Sequence, residues 1–265
     1  PDAHDAGLHS TESTMMRVSS LSFAAGLLSA AACATTTSMN GAGSSAPDMS
    51  TSAPSPDPRV GLRAGWYDAD EAIWNLQAVS HTRPSAKFTN PSTPGDGRLT
   101  NSDLAFVGNY VFQGNYSGYQ VWDISDPRKP TLRTAFVCPG SQSDVSVYKN
   151  LLFVSAEATN GRTDCGMEGV ADTVSKERAR GIRIFDITDI AKPKSVAMVQ
   201  TCRGSHTNTL VTDPNDAANV YIYVSGSAGV RSPTELAGCS GAQPDDDPNT
   251  ALFRIEVIKV PVAHP

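Results

Sequence analysis

Three polar residues stand at matching places in a repeated pattern, and together they could bind a metal ion. Asp103, Asp144 and His206 each follow a serine. Two carboxylates and an imidazole can hold a divalent cation. If each residue begins the first strand of its repeat, the three side chains point inward at one level of a shared axis. The alternative is that they only cap their strands by accepting hydrogen bonds from backbone N–H groups.

Other residues that could do chemistry are weaker candidates. The acidic run Asp245–Asp247 lacks the alternating acids and the glycine of an EF-hand loop, so we expect a solvated loop there. Ser205 and His206 are adjacent, whereas a nucleophile and its base must meet across the fold and need a third, orienting group. The sequence therefore suggests no catalytic residues and indicates a binding protein rather than an enzyme. A divalent metal is the one cofactor that it suggests.

The three polar positions are carried by a repeat that occurs three times. The copies cover residues of about 102–141, 143–204 and 205–265, and the first two contain VWDISDPRKP or IFDITDIAKP followed by Cys-x-Gly-Ser. Each copy holds three or four strand-like segments, separated by turn pairs such as Asp-Pro and Lys-Pro. A unit of about 40 residues with four antiparallel strands is typical of a propeller blade. The pattern predicts an all-β fold, a β-propeller of four-stranded antiparallel blades within residues 59–265, with about three blades present.

The third repeat stops where the first two enter their fourth strand. Pro265 aligns with Pro130 and Pro193, each of which precedes a strand-like segment. Closed propellers use about four or more blades. We therefore expect the three blades to be a truncated ring, part of a longer protein. The alternative is a short chain that closes by oligomerising, which would leave an exposed strand edge.

The runs VWDISDPRKP and IFDITDIAKP resemble the LVIVD-repeat family of exported bacterial proteins. The resemblance covers about residues 103–265, and it implies a β-propeller built from such repeats. It implies much less about function. The selenium-binding and methanethiol oxidase propellers are distantly similar, but this sequence has no histidine-dense motif of their kind.

The N-terminal part of the chain differs in composition from the repeats. Within residues 1–33, Arg17 and the apolar run that follows have the form of an export signal, too short to span a bilayer as a permanent helix. Small residues before Cys33 resemble the lipobox of bacterial lipoproteins, which implies that its thiol is lipidated. Ala30 stands where that family prefers leucine, so cleavage by an ordinary signal peptidase is the alternative. Residues 34–58 are rich in Ser, Thr and Pro and should form a flexible tether.

Four further cysteines indicate disulfides, because the chain has the features of an exported protein. Cys138 and Cys202 occupy the same place in their repeats, and Cys165 and Cys239 lie in the long loops that follow. Equivalent positions should make equivalent bonds, so we predict the pairs Cys138–Cys165 and Cys202–Cys239. A metal site is the alternative, but the spacing contains no Cys-x-x-Cys and no paired histidines.

These features predict a cell-envelope lipoprotein, periplasmic or on the outer surface, or a secreted protein if Cys33 is not lipidated. Its long loops should bind an extracytoplasmic protein, glycan or small ligand, since rigid scaffolds carry binding surfaces on loops. A net charge of −6 argues against nucleic acid, and the membrane is contacted only through the lipid anchor. The alternative is a metal-binding or oxidoreductase-type propeller with an axial site at Asp103, Asp144 and His206.

Overall fold

Three antiparallel sheets make up the chain from residue 101 onward. The computed structural model describes residues 49–65 and 68–265, so the export signal, Cys33 and the tether up to residue 48 lie outside the described residues. The strands of the first sheet are β1 (Asn101–Val107), β2 (Tyr110–Asn115), β3 (Gly118–Asp123) and β4 (Thr131–Val137). Those of the second are β5 (Val145–Tyr148), β6 (Leu151–Ala156), β7 (Gly181–Asp186) and β8 (Lys194–Gln200). Those of the third are β9 (Asn208–Val211), β10 (Asn219–Ser225) and β11 (Ile255–Pro261).

The sheets confirm the all-β prediction. Neighbours in sequence are neighbours in each sheet, and the three sheets hold four, four and three strands. The described residues before β1 contain two 3-10 helices, Ala86–Phe88 and Gly97–Leu99, and no strand. No helix in the described part of the chain is long and apolar enough to cross a membrane.

The repeated Asp-Ile-Ser/Thr-Asp sequence forms the turn after the third strand of the first two sheets. Asp123 Oδ1 accepts a hydrogen bond from Ser125 N at 3.0 Å, and Asp186 Oδ1 accepts one from Thr188 N at 2.8 Å. An aspartate that binds the backbone two residues ahead stabilises a tight turn. The aspartates of the repeat signature are therefore turn residues, and they return the chain to the fourth strand.

The hydrophobic core lies between the sheets. Strand β6 is buried along its whole length because its side chains alternate between the two neighbouring sheets. Phe153 packs in a cluster with the third sheet, whereas Leu152 packs in one with the first. Burial of one such side chain stabilises a fold by roughly 1.5–3 kcal/mol. First strands contact each other from sheet to sheet, β1 with β5 and β5 with β9, so the beginning of each repeat lies against the beginning of the next.

Two equivalent glycines begin the third strands at points where a side chain would not fit. Gly118 has φ 142° and Gly181 has φ 146°, a range that residues with a side chain rarely adopt. A Cβ at Gly118 would lie 2.0 Å from Phe136 O, and one at Gly181 would lie 2.1 Å from Val199 O. These glycines allow the end of the fourth strand to approach the beginning of the third strand closely.

Candidate functional site

One end of the sheets carries the two long connections of the protein, and we call it the loop face. Residues 157–180 connect β6 to β7, and residues 226–254 connect β10 to β11. A disulfide joins Cys138, just after β4, to Cys165 in the first loop, and another joins Cys202, after β8, to Cys239 in the second. These are the two pairs that the repeat predicts. Each links the end of one sheet to the loop of the next.

A buried ion cluster joins the two loops to each other. Glu235 in the second loop accepts hydrogen bonds from Arg178 Nη1 in the first loop and from Arg231 Nε, the latter at 2.6 Å. The Glu235 side chain is only 2% exposed. Burial opposes its ionisation, but a hydrogen bond from Ser175 N and the two arginines together hold its pKa below the ordinary value. The loops are therefore held in one arrangement by charge as well as by disulfides.

A buried arginine also shapes the base of the first loop. Arg183 on β7 donates to Cys138 O at 3.1 Å, to Pro139 O at 2.7 Å and to Arg162 O at 3.0 Å. Burial lowers the pKa of its guanidinium to about 10. The Arg183 side chain thus donates hydrogen bonds to carbonyl groups of both segments that the Cys138–Cys165 bond joins. The alternating pattern of β7 gave no sign of this role, since a polar residue there would ordinarily face solvent.

The strand register corrects the predicted set of equivalent polar residues. In the first hairpins of the three sheets, Ala105 pairs with Phe112, Ser146 with Phe153, and Leu210 with Ile222. The residue two places before each first partner is Asp103, Asp144 or Asn208. Asn208, not His206, is therefore the third equivalent residue. Counting from the Cys-x-Gly-Ser motif would have found it, because Asp144 and Asn208 are each six residues after a cysteine.

The polar residues at the strand starts bind the neighbouring sheet. Asp103 Oδ2 accepts from Val145 N at 3.4 Å, and Asp144 Oδ2 accepts from Asn208 N at 2.8 Å and from Asn208 Nδ2 at 3.2 Å. Burial raises the pKa of Asp144 to about 6, and Asp103 adds to the rise. No group of three or more His, Cys, Asp or Glu side chains among residues 49–65 and 68–265 is placed to hold a metal ion. The contacts of Asp103 and Asp144 match the strand-capping alternative, with the bonds running between sheets.

His206 makes a contact that has a counterpart one repeat earlier. Its Nδ1 lies 2.6 Å from Glu157 Oε1, and Ser227 Oγ donates to the other oxygen of the same carboxylate. At the equivalent place, Gln142 Nε2 donates to Tyr116 Oη at 2.6 Å. Tyr116 and Glu157 each follow the last residue of a second strand. The same contact therefore occurs twice. It joins two neutral side chains between the first and second repeats, and an imidazole and a carboxylate between the second and third.

Two clefts run across the loop face and meet, and we call them together the loop-face groove. The first has a volume of about 480 Å³ and is lined by residues that include Asn90, Arg98, Tyr116 and Asn160. The second has a similar volume but is shallower and more open to solvent, and it is lined by Glu157, His206 and Ser227 among others. Both clefts are lined by Ser141 and Ala158. Sequence reasoning did not identify Tyr116, Glu157 or Asn160, because the loops bring them together from separate repeats.

The junction of the two clefts has an unusual backbone. Ser141, Gln142 and Ser143 have φ angles of 63°, 29° and 53° in succession, although none of them is glycine. Residues with side chains adopt positive φ at a cost that the surrounding contacts must offset, and such residues cluster at binding sites. Here the segment follows Gly140, where a Cβ would lie 2.3 Å from Arg183 Nη1. The wall of the groove is therefore closely constrained.

No family model matches the sequence, and no curated protein matches it. Among solved structures, the N-terminal domain of Nup159 is similar, with 9% sequence identity and a TM-score of 0.21. That similarity covers 60% of this chain and 44% of the Nup159 chain, so the present chain spans less than half of that structure. Agreement at this level carries no argument about fold or function.

Proposed function

We propose that the protein is an exported binding scaffold of the LVIVD-repeat type, with its three sheets as blades of a β-propeller and its loop face as the binding surface. The observation that carries this proposal is the fixing of two long loops by two disulfides and by the Glu235 ion cluster. Loops held in one conformation lose little entropy when a ligand binds, so they bind more tightly than mobile loops. The contact of first strands between successive sheets supports the propeller arrangement.

The polar residues at the repeat starts support a scaffold better than an axial metal site. The carboxylates of Asp103 and Asp144 accept hydrogen bonds from backbone amides of the next sheet, and the His206 ring contacts the Glu157 carboxylate. A metal at these residues would have to replace those hydrogen bonds. The disulfides support an oxidising compartment outside the cytoplasm, where an export signal would deliver the chain, and we propose that lipidation at Cys33 anchors it there.

A binding experiment on the full chain tests the scaffold proposal. Labelled protein is titrated onto isolated cell-envelope material, beside the double variant Cys202→Ala/Cys239→Ala and the variant Lys149→Ala. The Cys202–Cys239 bond holds the second loop, whereas Lys149 lies in the turn at the opposite end of the second sheet. We expect saturable binding that weakens about tenfold in the cysteine variant and is unchanged in Lys149→Ala. Equal binding by all three proteins, or none by any, would show the proposal to be wrong.

Lipid anchoring has a separate test. Cells expressing the full chain or Cys33→Ala are grown with an alkyne fatty acid, which is then coupled to a dye. We expect label on the unmodified chain and none on the variant. If both proteins are unlabelled while both are exported, the chain is released after ordinary signal cleavage and carries no anchor.

A further inference from the structure

We infer that the loop-face groove binds a neutral, extended oligosaccharide. The inference rests on the proposed function and names its ligand class. It depends on the shape of the groove, on the contacts that its acidic and basic side chains already make and on the hydrogen-bonding groups that remain available along it.

The shape of the groove suits a chain rather than a compact ligand. The first cleft has a volume of about 480 Å³, within the roughly 300–1,000 Å³ of small-molecule sites, and the second is a shallower depression of similar volume that is open to solvent. Because both are lined by Ser141 and Ala158, a ligand can continue from one into the other. A single small molecule would fill one cleft and leave the other empty. A linear ligand of several linked units would contact both.

The acidic and basic side chains of the groove already have hydrogen-bond partners in the protein. Arg98 Nη2 lies 2.7 Å from Asp96 Oδ2 in the first cleft, and His206 Nδ1 lies 2.6 Å from Glu157 Oε1 in the second. Each carboxylate therefore has a basic partner within the groove. An anionic or cationic ligand would have to compete with these pairs, whereas a neutral ligand can hydrogen-bond to them as they stand.

Side chains along the groove offer both donors and acceptors to such a ligand. In the described part of the chain, the amide of Asn160 and the hydroxyls of Ser141 and Thr159 have no protein hydrogen-bond partner. Tyr116 Oη accepts from Gln142, so its own O–H is free to donate. Sugar hydroxyls both donate and accept, and the C–H face of a sugar ring packs on an aromatic ring such as that of Tyr116. An amide, three hydroxyls and a tyrosine ring in one groove are therefore suited to a saccharide.

The groove fits a peptide less well. Peptides that bind grooves add a strand to an open sheet edge or place apolar side chains in pockets. The walls here are turns and loops rather than strand edges, and Met167 is the strongly exposed large apolar side chain of the first cleft, at 68%. One such residue at the rim does not provide the row of apolar pockets that a peptide needs.

The test uses the full-length protein and an array of defined neutral and anionic oligosaccharides, followed by calorimetric titration of those that bind. We expect at least one neutral oligosaccharide of three or more units to bind, and its monosaccharide to bind more weakly. Asn160→Ala and Tyr116→Phe should each weaken binding about tenfold, as expected for one lost hydrogen bond. The matched control is Asn249→Ala, since Asn249 is an exposed asparagine of the second loop outside both clefts. Circular dichroism confirms that each variant is folded.

Several results would overturn the inference. Binding of anionic oligosaccharides alone, equal binding of the monosaccharide, or equal loss in Asn249→Ala would each contradict it. Its failure is distinguishable from failure of the scaffold proposal by oxidising the envelope material with periodate, which cleaves the adjacent hydroxyl pairs of sugars and leaves most protein surfaces intact. If loop-face binding survives periodate and also survives in the presence of an excess of the array oligosaccharides, the ligand is not a saccharide and the scaffold proposal stands without it.

Discussion

The carboxylate of Asp144 accepts a hydrogen bond from the backbone N–H of Asn208 at 2.8 Å, across the boundary between the second and third sheets. Asp103 lies beside it and disfavours its ionisation. The hydrogen bond from Asn208 favours the ionised form of Asp144, whereas Asp103 favours the neutral form. The boundary between the sheets should therefore respond to pH.

Asp144 should make the protein less stable as pH rises from about 4 to about 6. Burial, with Asp103, raises its pKa from the ordinary 3.8 to about 6, so in this range the folded state binds a proton that the unfolded state has lost. Asp144→Asn removes this penalty. We expect the variant to be more stable than the unmodified protein by about 1 kcal/mol at pH 7, after allowance for solvent screening, and to show no gain at pH 3.5.

Urea unfolding followed by tryptophan fluorescence at several pH values measures this difference. Asp245→Asn serves as the control, because Asp245 is exposed in the second loop. A constant difference between Asp144→Asn and the unmodified protein from pH 3.5 to 7 would mean that the group does not titrate as described.

Loss of the second disulfide should free its loop and leave the sheets folded. The bond closes a segment of 37 residues, and bridges of this kind contribute about 2–4 kcal/mol. Cys202→Ala/Cys239→Ala should lower the free energy of unfolding by that amount and admit protease cleavage within residues 226–254. Mass spectrometry of the fragments locates the cuts. Cleavage that is equally fast in the oxidised parent would show that the bond does not restrain the loop.

The glycine at the start of β7 should not tolerate a side chain. In Gly181→Ala the new Cβ meets Val199 O, so the fourth strand must move, at a cost of about 1–3 kcal/mol. Gly229→Ala is the matched control, because a Cβ added there would have no atom within 4 Å. Chemical denaturation compares the two variants. Similar stabilities would contradict the close approach of the two strands.

The buried carboxylate of Glu235 should be among the most sensitive positions of the loop face. Glu235→Gln leaves Arg178 and Arg231 without an anion, although their side chains are only 8% and 1% exposed. Breaking a buried ion pair from one side costs about 3–5 kcal/mol. Glu168→Gln, which alters a pair whose carboxylate is 64% exposed, should cost less than about 1 kcal/mol. Thermal unfolding distinguishes these results, and equal effects would show that burial does not set the strength of the pair.

The sequence predicted those parts of the structure that local patterns determine. Phe112 and Phe153 occupy the same place in their sheets because the second strand has the same apolar run in both repeats. The disulfide partners of Cys138 and Cys202 were predicted correctly for a similar reason, since the two cysteines hold equivalent positions and face equivalent loops. Where a short motif sets the structure, its repetition was a reliable guide.

Contacts between repeats were harder to predict. Ser143 comes five residues after Cys138, whereas Ser205 comes only three residues after Cys202, so aligning Ser205 with Ser143 placed His206 at the wrong position. The pairing of His206 with Glu157 spans 49 residues, and no local pattern connects them. Arg183 is buried although its strand alternates, because the first loop folds over it and supplies carbonyl groups. Both contacts depend on the folded positions of the loops, which short sequence patterns do not determine.

The repeated contact at the ends of the second strands shows how this architecture can diversify. Gln142 with Tyr116 and His206 with Glu157 join the same two points of successive sheets. The backbone framework is common to both, so one contact can change its chemical character while the other keeps its own. Exchanging the two residue pairs between the repeats would therefore change the polar groups that line the loop face while leaving the strands as they are.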